Sequence, residues 1–205
     1  MRVRSAVAAV GLGLAAPALA GTVVGRVDVL DRGGRRLGDL SDVVVYVEGV
    51  KARPRPGHAT VTMKGKAFTP RVLAVGVGTT VDFPNEDPIF HNVFSVSGDN
   101  RFDLELYKRP RSGSWSSSPD DTGSSPAGWC RRRSAAPDGT FTLEGLPPGR
   151  YVLKAWHERG GETATEVAVP ADGRATAELH LDASTYKQLP HKNKYGKDYT
   201  SDEKY

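Results

Sequence analysis

The sequence predicts an all-β fold, and three observations carry that prediction. Apolar and polar residues alternate with a period of two in segment after segment; β-branched runs are bounded by Gly, Pro and Asp-rich turns; and no helical periodicity follows the first twenty residues. Short strands at such regular spacing imply a sandwich or a barrel.

Residues 1–20 stand apart from this pattern. Arg2 and Arg4 precede a run from Ala6 to Ala16 made only of Ala, Val, Gly and Leu, and Pro17 and Ala18-Leu19-Ala20 follow. A charged start, a short apolar core and small residues at the end make a secretory signal peptide, cut behind Ala20. A membrane span needs about 20 continuous apolar residues, so this run is too short to stay as an anchor. The expectation is a periplasmic or secreted protein with no stable membrane insertion after cleavage.

The strands come next. In Val23-Val24-Gly25-Arg26-Val27-Asp28-Val29 the odd positions are apolar or small and the even ones mostly polar, as a half-buried strand requires. Asp31-Arg32-Gly33-Gly34 supplies a turn, and Val43 to Val47 is a continuous apolar run suited to a strand covered on both faces. A Pro-rich linker, Arg53 to Gly57, ends this first block, residues 21–57. In the second block, residues 58–108, strands are expected at Thr60 to Met63, Arg71 to Val75, Thr80 to Phe83, Asn92 to Ser97 and Arg101 to Leu106. A last block, residues 138–183, offers Thr140 to Leu143, Tyr151 to Trp156, Thr163 to Val169 and Ala175 to Leu181.

Two stretches break the pattern. Between Tyr107 and Phe141 there is no Val, Ile, Leu, Phe, Met or Tyr, so no central strand is expected, and residues 109–137 read as a low-complexity, poorly ordered insert or an altered reading of the gene. Trp115, Trp129 and Cys130 are its only candidates for anchoring. Residues 184–205 carry many charges, five Lys among them, and almost no aliphatic side chains, which implies a disordered basic tail.

Composition narrows the function classes. The formal charge is +4, but Lys and Arg are interleaved with Asp and Glu rather than gathered into one stripe, which argues against nucleic acid as a partner. Cysteine occurs once, at Cys130, so the thiol is free, metal-bound or paired with another molecule. No nucleophile elbow, phosphate loop or His-Glu-x-x-His spacing is present, and no catalytic role is expected.

The segments Lys64 to Pro70, Val77 to Asp87 and Phe90-His91-Asn92-Val93-Phe94-Ser95 resemble the first ligand half of cupredoxins, plastocyanin-like blue copper proteins, and within them the methylamine utilisation subgroup. The resemblance covers roughly residues 59–108. It implies a Greek-key sandwich, copper as cofactor, a redox partner protein, and His91 as a strand-end ligand beside Asn92, Glu86 and Asp87. Residues 138–159 resemble a second family, the carboxypeptidase regulatory-like or transthyretin-like β-sandwich, whose opening strands match 21–29 and 43–50 instead of anything directly upstream. The cupredoxin-like segment is therefore expected to be inserted into the second sandwich, with strands from 21–50 pairing with strands after 139.

A blue copper centre takes two imidazoles and one thiolate, with a weak axial Met. Cys130 is the only thiolate available, and Arg131-Arg132-Arg133 follow it where the family carries a His and a Met. His157 reads as an exposed or hydrogen-bonded strand-end residue, His58 lies in the linker, His180 on a polar strand face, His191 in the tail, and Met63 reads as core filler. The metal ligands expected are thus His91 and Cys130, an incomplete set. Either the scaffold has diverged from copper binding or residues 111–133 are a shifted reading whose true product restores the loop. The alternative function is a binding or adhesion module for carbohydrate or protein, using exposed aromatics such as Trp156, Trp115 and Trp129, with Trp156 also readable as core.

Overall fold

A computed structural model describes residues 20–48, 50, 57–76, 78–96, 101–109, 111–116, 131–170, 173–187 and 197. Residues 1–19, most of the Pro-rich stretch, Trp129, Cys130, His191 and everything beyond residue 187 except Lys197 lie outside the described residues. Every regular element described is a strand, so the all-β class holds. In chain order these are β1 (Gly21–Leu30), β2 (Val44–Val47), β3 (Gly57–Thr60), β4 (Thr62–Lys64), β5 (Ala67–Thr69), β6 (Thr79–Pro84), β7 (His91–Ser95), β8 (Phe102–Tyr107), β9 (Ser112–Ser116), β10 (Arg131–Ser134), β11 (Thr140–Leu146), β12 (Gly149–His157), β13 (Gly161–Val169) and β14 (Arg174–Asp182).

Two sheets share the main core. One has the order β11-β1-β14, the other β10-β2-β12-β13. Alternation sends Val23, Val27 and Val29 of β1 inward with no exposure, and Leu143, Leu146, Leu179 and Leu181 join them from the neighbouring strands. The second sheet contributes Val45, Val47, Leu153, Ala155, Val167 and Val169 to the same cluster. The opening strands pair with the late ones: β1 runs antiparallel to β11 and parallel to β14, and β2 runs antiparallel to β12. Gly25 marks the tightest approach, since a Cβ there would lie 1.9 Å from the Ala177 carbonyl oxygen and 2.6 Å from the Phe141 ring.

The chain between β2 and β10 builds a separate, smaller cluster. Here β3, β6 and β9 form one sheet, while β4-β5 and β7-β8 form antiparallel pairs. Met63, Val93 and Tyr107 are buried together, with Phe83, Phe102 and Leu104 packed on them. Trp115 stacks on Phe102 at 5.3 Å between centroids, so this indole is a packing residue. A bidentate pair, Arg71 with Glu158, links the segment to the end of β12.

Three local expectations change. Residues 71–75 form no strand: their alternation finds no pairing partner, and Arg71 turns to Glu158. Conversely, β9 and β10 arise in the stretch without strand-forming side chains. Both are edge strands, held by main-chain bonds to β6 and β2, and pairing of that kind does not need apolar side chains. Glycine at 113 fits there because a Cβ would meet Leu104 at 2.7 Å. Finally, His58 is on β3, opposite Thr80 of β6, rather than in the linker.

Candidate functional site

The arrangement around His91 begins with a turn. β4 and β5 are joined by two residues, Gly65 and Lys66, with φ of 62° and 61°. Two successive left-handed residues are what a two-residue type I′ hairpin demands, and glycine at the first removes half of the steric cost. The turn aims two consecutive main-chain N–H groups at one point, which makes a cradle for an anion.

Asp87 fills it. Its Oδ1 accepts the Gly65 N–H at 2.7 Å and its Oδ2 the Lys66 N–H at 2.9 Å. These two main-chain donors, then the imidazole of His91, hold its carboxyl below the usual carboxylate range. Asp87 is held from the other side by Asn85, which is only 2% exposed. The Asn85 Oδ1 accepts the Asp87 N–H at 2.9 Å, and its Nδ2 donates to the carbonyls of Ile89 and Tyr107, both at 3.0 Å. One amide side chain therefore ties the 85–89 loop to the end of β8.

The ring of His91, at the start of β7, receives the result. Its Nε2 lies 2.7 Å from Asp87 Oδ2, and its side chain is 18% exposed. An ionised carboxylate only accepts, so Nε2 carries the proton; the neutral ring then presents its lone pair at Nδ1. A carboxylate on the far nitrogen is the partner that fixes the ring of a metal-binding histidine. Tyr107, opposite His91 in the β7-β8 ladder, donates its hydroxyl to the Phe83 carbonyl at 2.7 Å, and burial raises its pKa. Ile89 and Phe90, in the loop just before β7, are exposed, and the Lys108 ammonium sits 5.8 Å from the centre of the Phe90 ring.

The other residues singled out from the sequence fall elsewhere. Cys130 lies outside the described residues; the strand that follows it, β10, sets Arg131 opposite Val47. Met63 is 3% exposed in the small core, as its reading as filler required. Glu86 turns outward to Lys64 at 3.1 Å, away from the inward Asp87. Asn92 donates to Asp103 at 2.8 Å, and the amide that braces the 85–89 loop is Asn85. The signal for Asn85 was the Asn-x-Asp spacing, in which a side chain accepts from the main chain two residues on. His58 pairs with Asp82 and His180 with Asp28, both largely exposed.

His157 faces inward, against its reading as an exposed or hydrogen-bonded strand end, and Trp156 takes the exposed one of its two readings. The inward phase of β12 is Leu153, Ala155, His157, so the imidazole is 5% exposed with Nδ1 lacking a hydrogen-bond partner, while Trp156 faces out at 38%.

Among the described residues, no group of three or more His, Cys, Asp or Glu is arranged to hold a metal ion. The described donors therefore fit one arm of a copper centre, a single oriented imidazole, and do not complete the trigonal set. The chain matches no protein-family model, no curated protein and no solved structure at a significant level.

Proposed function

We propose that this chain is an exported, cupredoxin-like protein of the copper electron-carrier class, with no catalytic role, whose metal ligands include His91 and Cys130. The observation that supports the reading is the Asp87–His91 pair, in which a carboxylate anchored by two main-chain N–H groups fixes the ring through Nε2. That leaves Nδ1 as the ligating atom and holds the ring against rotation. Copper, when bound, supplies one-electron chemistry. The chain's part is to orient the imidazole, limit water at its Nε2 side and offer the exposed apolar side chains of the preceding loop, Ile89 and Phe90, to a redox partner.

Titration of the full chain with Cu(II), followed by absorption in the visible thiolate-to-copper region, tests this. A coloured one-to-one complex, abolished by His91→Ala and by Cys130→Ser, is the expected result. A colourless protein, or copper binding indifferent to both substitutions, removes the copper reading.

A further inference from the structure

The outer face of the β10-β2-β12-β13 sheet carries a second built surface, independent of the small segment. Its inner face is spent on the main core, so every other residue of β2, β12 and β13 points to solvent. Charged and hydroxylated side chains are the ordinary occupants of such a face. Here they surround a large aromatic: Trp156 is 38% exposed and Val152, four residues back on the same face, is 40% exposed.

The polar residues beside the indole are fixed to one another. Glu162 stands directly opposite Trp156 in the β12-β13 ladder, and its carboxylate accepts the Tyr46 hydroxyl from β2. Lys154 reaches Glu162 at 2.9 Å and Glu48 at 2.7 Å, with its side chain only 21% exposed. Two carboxylates, an ammonium and a phenol are thus held in one plane beside an indole, with their rotamer freedom already lost.

We infer that this face binds a neutral polysaccharide, with a pyranose ring stacked on Trp156 and its hydroxyls bonded to Glu162, Lys154 and Tyr46. The C–H groups on one side of a pyranose form an apolar patch that matches an aromatic face, while vicinal hydroxyls match the two acceptor oxygens of a carboxylate. The Lys154 ammonium supplies a donor to the same hydroxyls, and the Tyr46 oxygen, whose proton goes to Glu162, supplies an acceptor. The surface is an open sheet face, which suits an extended polymer lying across the strands better than a single sugar needing enclosure. Two carboxylates against one ammonium leave the array net negative, so uronate polymers and other polyanions are disfavoured. The site shares no residue with the His91 arrangement.

The test is depletion of the full chain from solution by microcrystalline cellulose and by chitin powder, with soluble polygalacturonate as the anionic counterpart. Wild type is expected to be depleted by at least one of the two solids. Trp156→Ser should weaken that by about tenfold or more, as loss of a central aromatic contact does, while Trp156→Tyr keeps most of it. His91→Ala should bind like wild type, so that failure of the copper reading leaves this result untouched. Should Trp156→Ser fail to fold by circular dichroism, Glu162→Gln carries the test with a loss of several-fold. No depletion by either solid, retention undiminished in the folded variants, or equal binding of polygalacturonate overturns the inference.

Discussion

Replacing His157 with Leu should flatten the pH dependence of folding stability. The imidazole ends β12 on its inward side, 5% exposed, and its Nδ1 has no hydrogen-bond partner. Around it lie hydrocarbon and the Gly160 main chain: a Cβ at Gly160 would sit 3.7 Å from that nitrogen and 3.0 Å from Leu181. Burial lowers the His157 pKa first, and Arg159 and Arg71 add to this, with Asp42 and Glu158 opposing them. The folded pKa therefore lies below the unfolded value of about 6.5, and between the two the unfolded chain binds the extra proton. Stability from this group is present above pH 6.5 and is lost as pH falls through the folded pKa, with a limiting slope of about 1.4 kcal/mol per pH unit. Urea unfolding of wild type and His157→Leu at pH 7.5, 6.5, 5.5 and 5.0 measures it. The difference between the two proteins should shift steadily in favour of the variant on acidification below pH 6.5. Every other ionisable group is common to the two proteins and cancels in the difference. A difference that stays constant across this range would show that the folded ring takes up its proton as readily as the unfolded one, and the account of its burial would be wrong.

Two more substitutions probe the frame. Gly25→Ala places a methyl group 1.9 Å from a backbone oxygen that cannot move without opening the β1-β14 ladder, and it should cost about 1–3 kcal/mol or more in urea unfolding. Asn85→Ala removes a buried amide that serves one main-chain N–H and two carbonyls; a loss of about 2–3 kcal/mol is expected, together with faster hydrogen exchange at the Asp87 amide. An unchanged melting midpoint in either variant contradicts the packing described.

The main sandwich was legible because its signal is periodic. Val23, Gly25, Val27 and Val29, then Leu179 and Leu181, occupy every second position, and burial of one face of each strand writes that repeat into the sequence. What stayed hidden was the phase of β12 and the pairing of β9 and β10. On β12 the alternation was visible, but which of Trp156 and His157 faced the core depended on Leu153 and Ala155 being inward, and the larger aromatic was the more natural core residue by composition alone. β9 and β10 were invisible because main-chain pairing at a sheet edge leaves no trace in side chains such as Ser112, Ser114 and Arg133. At the site, His91 stood out through its neighbours in sequence. Its supports did not, because the contact of Asp87 with the Gly65-Lys66 turn joins positions more than twenty residues apart through main-chain donors.

The parallel ladder between β1 and β14 also dictates when this protein can finish folding. Thr22 faces Arg174 and Leu30 faces Asp182, so the first strand to be synthesised waits for the last before its second edge is satisfied. Contacts so distant along the chain are closed late and slowly, whereas the small cluster around Met63 draws only on nearby residues and can form on its own schedule. A ribosome or protease that stops short of β14 would release a product with a bare, valine-lined edge, open to pairing with its own kind.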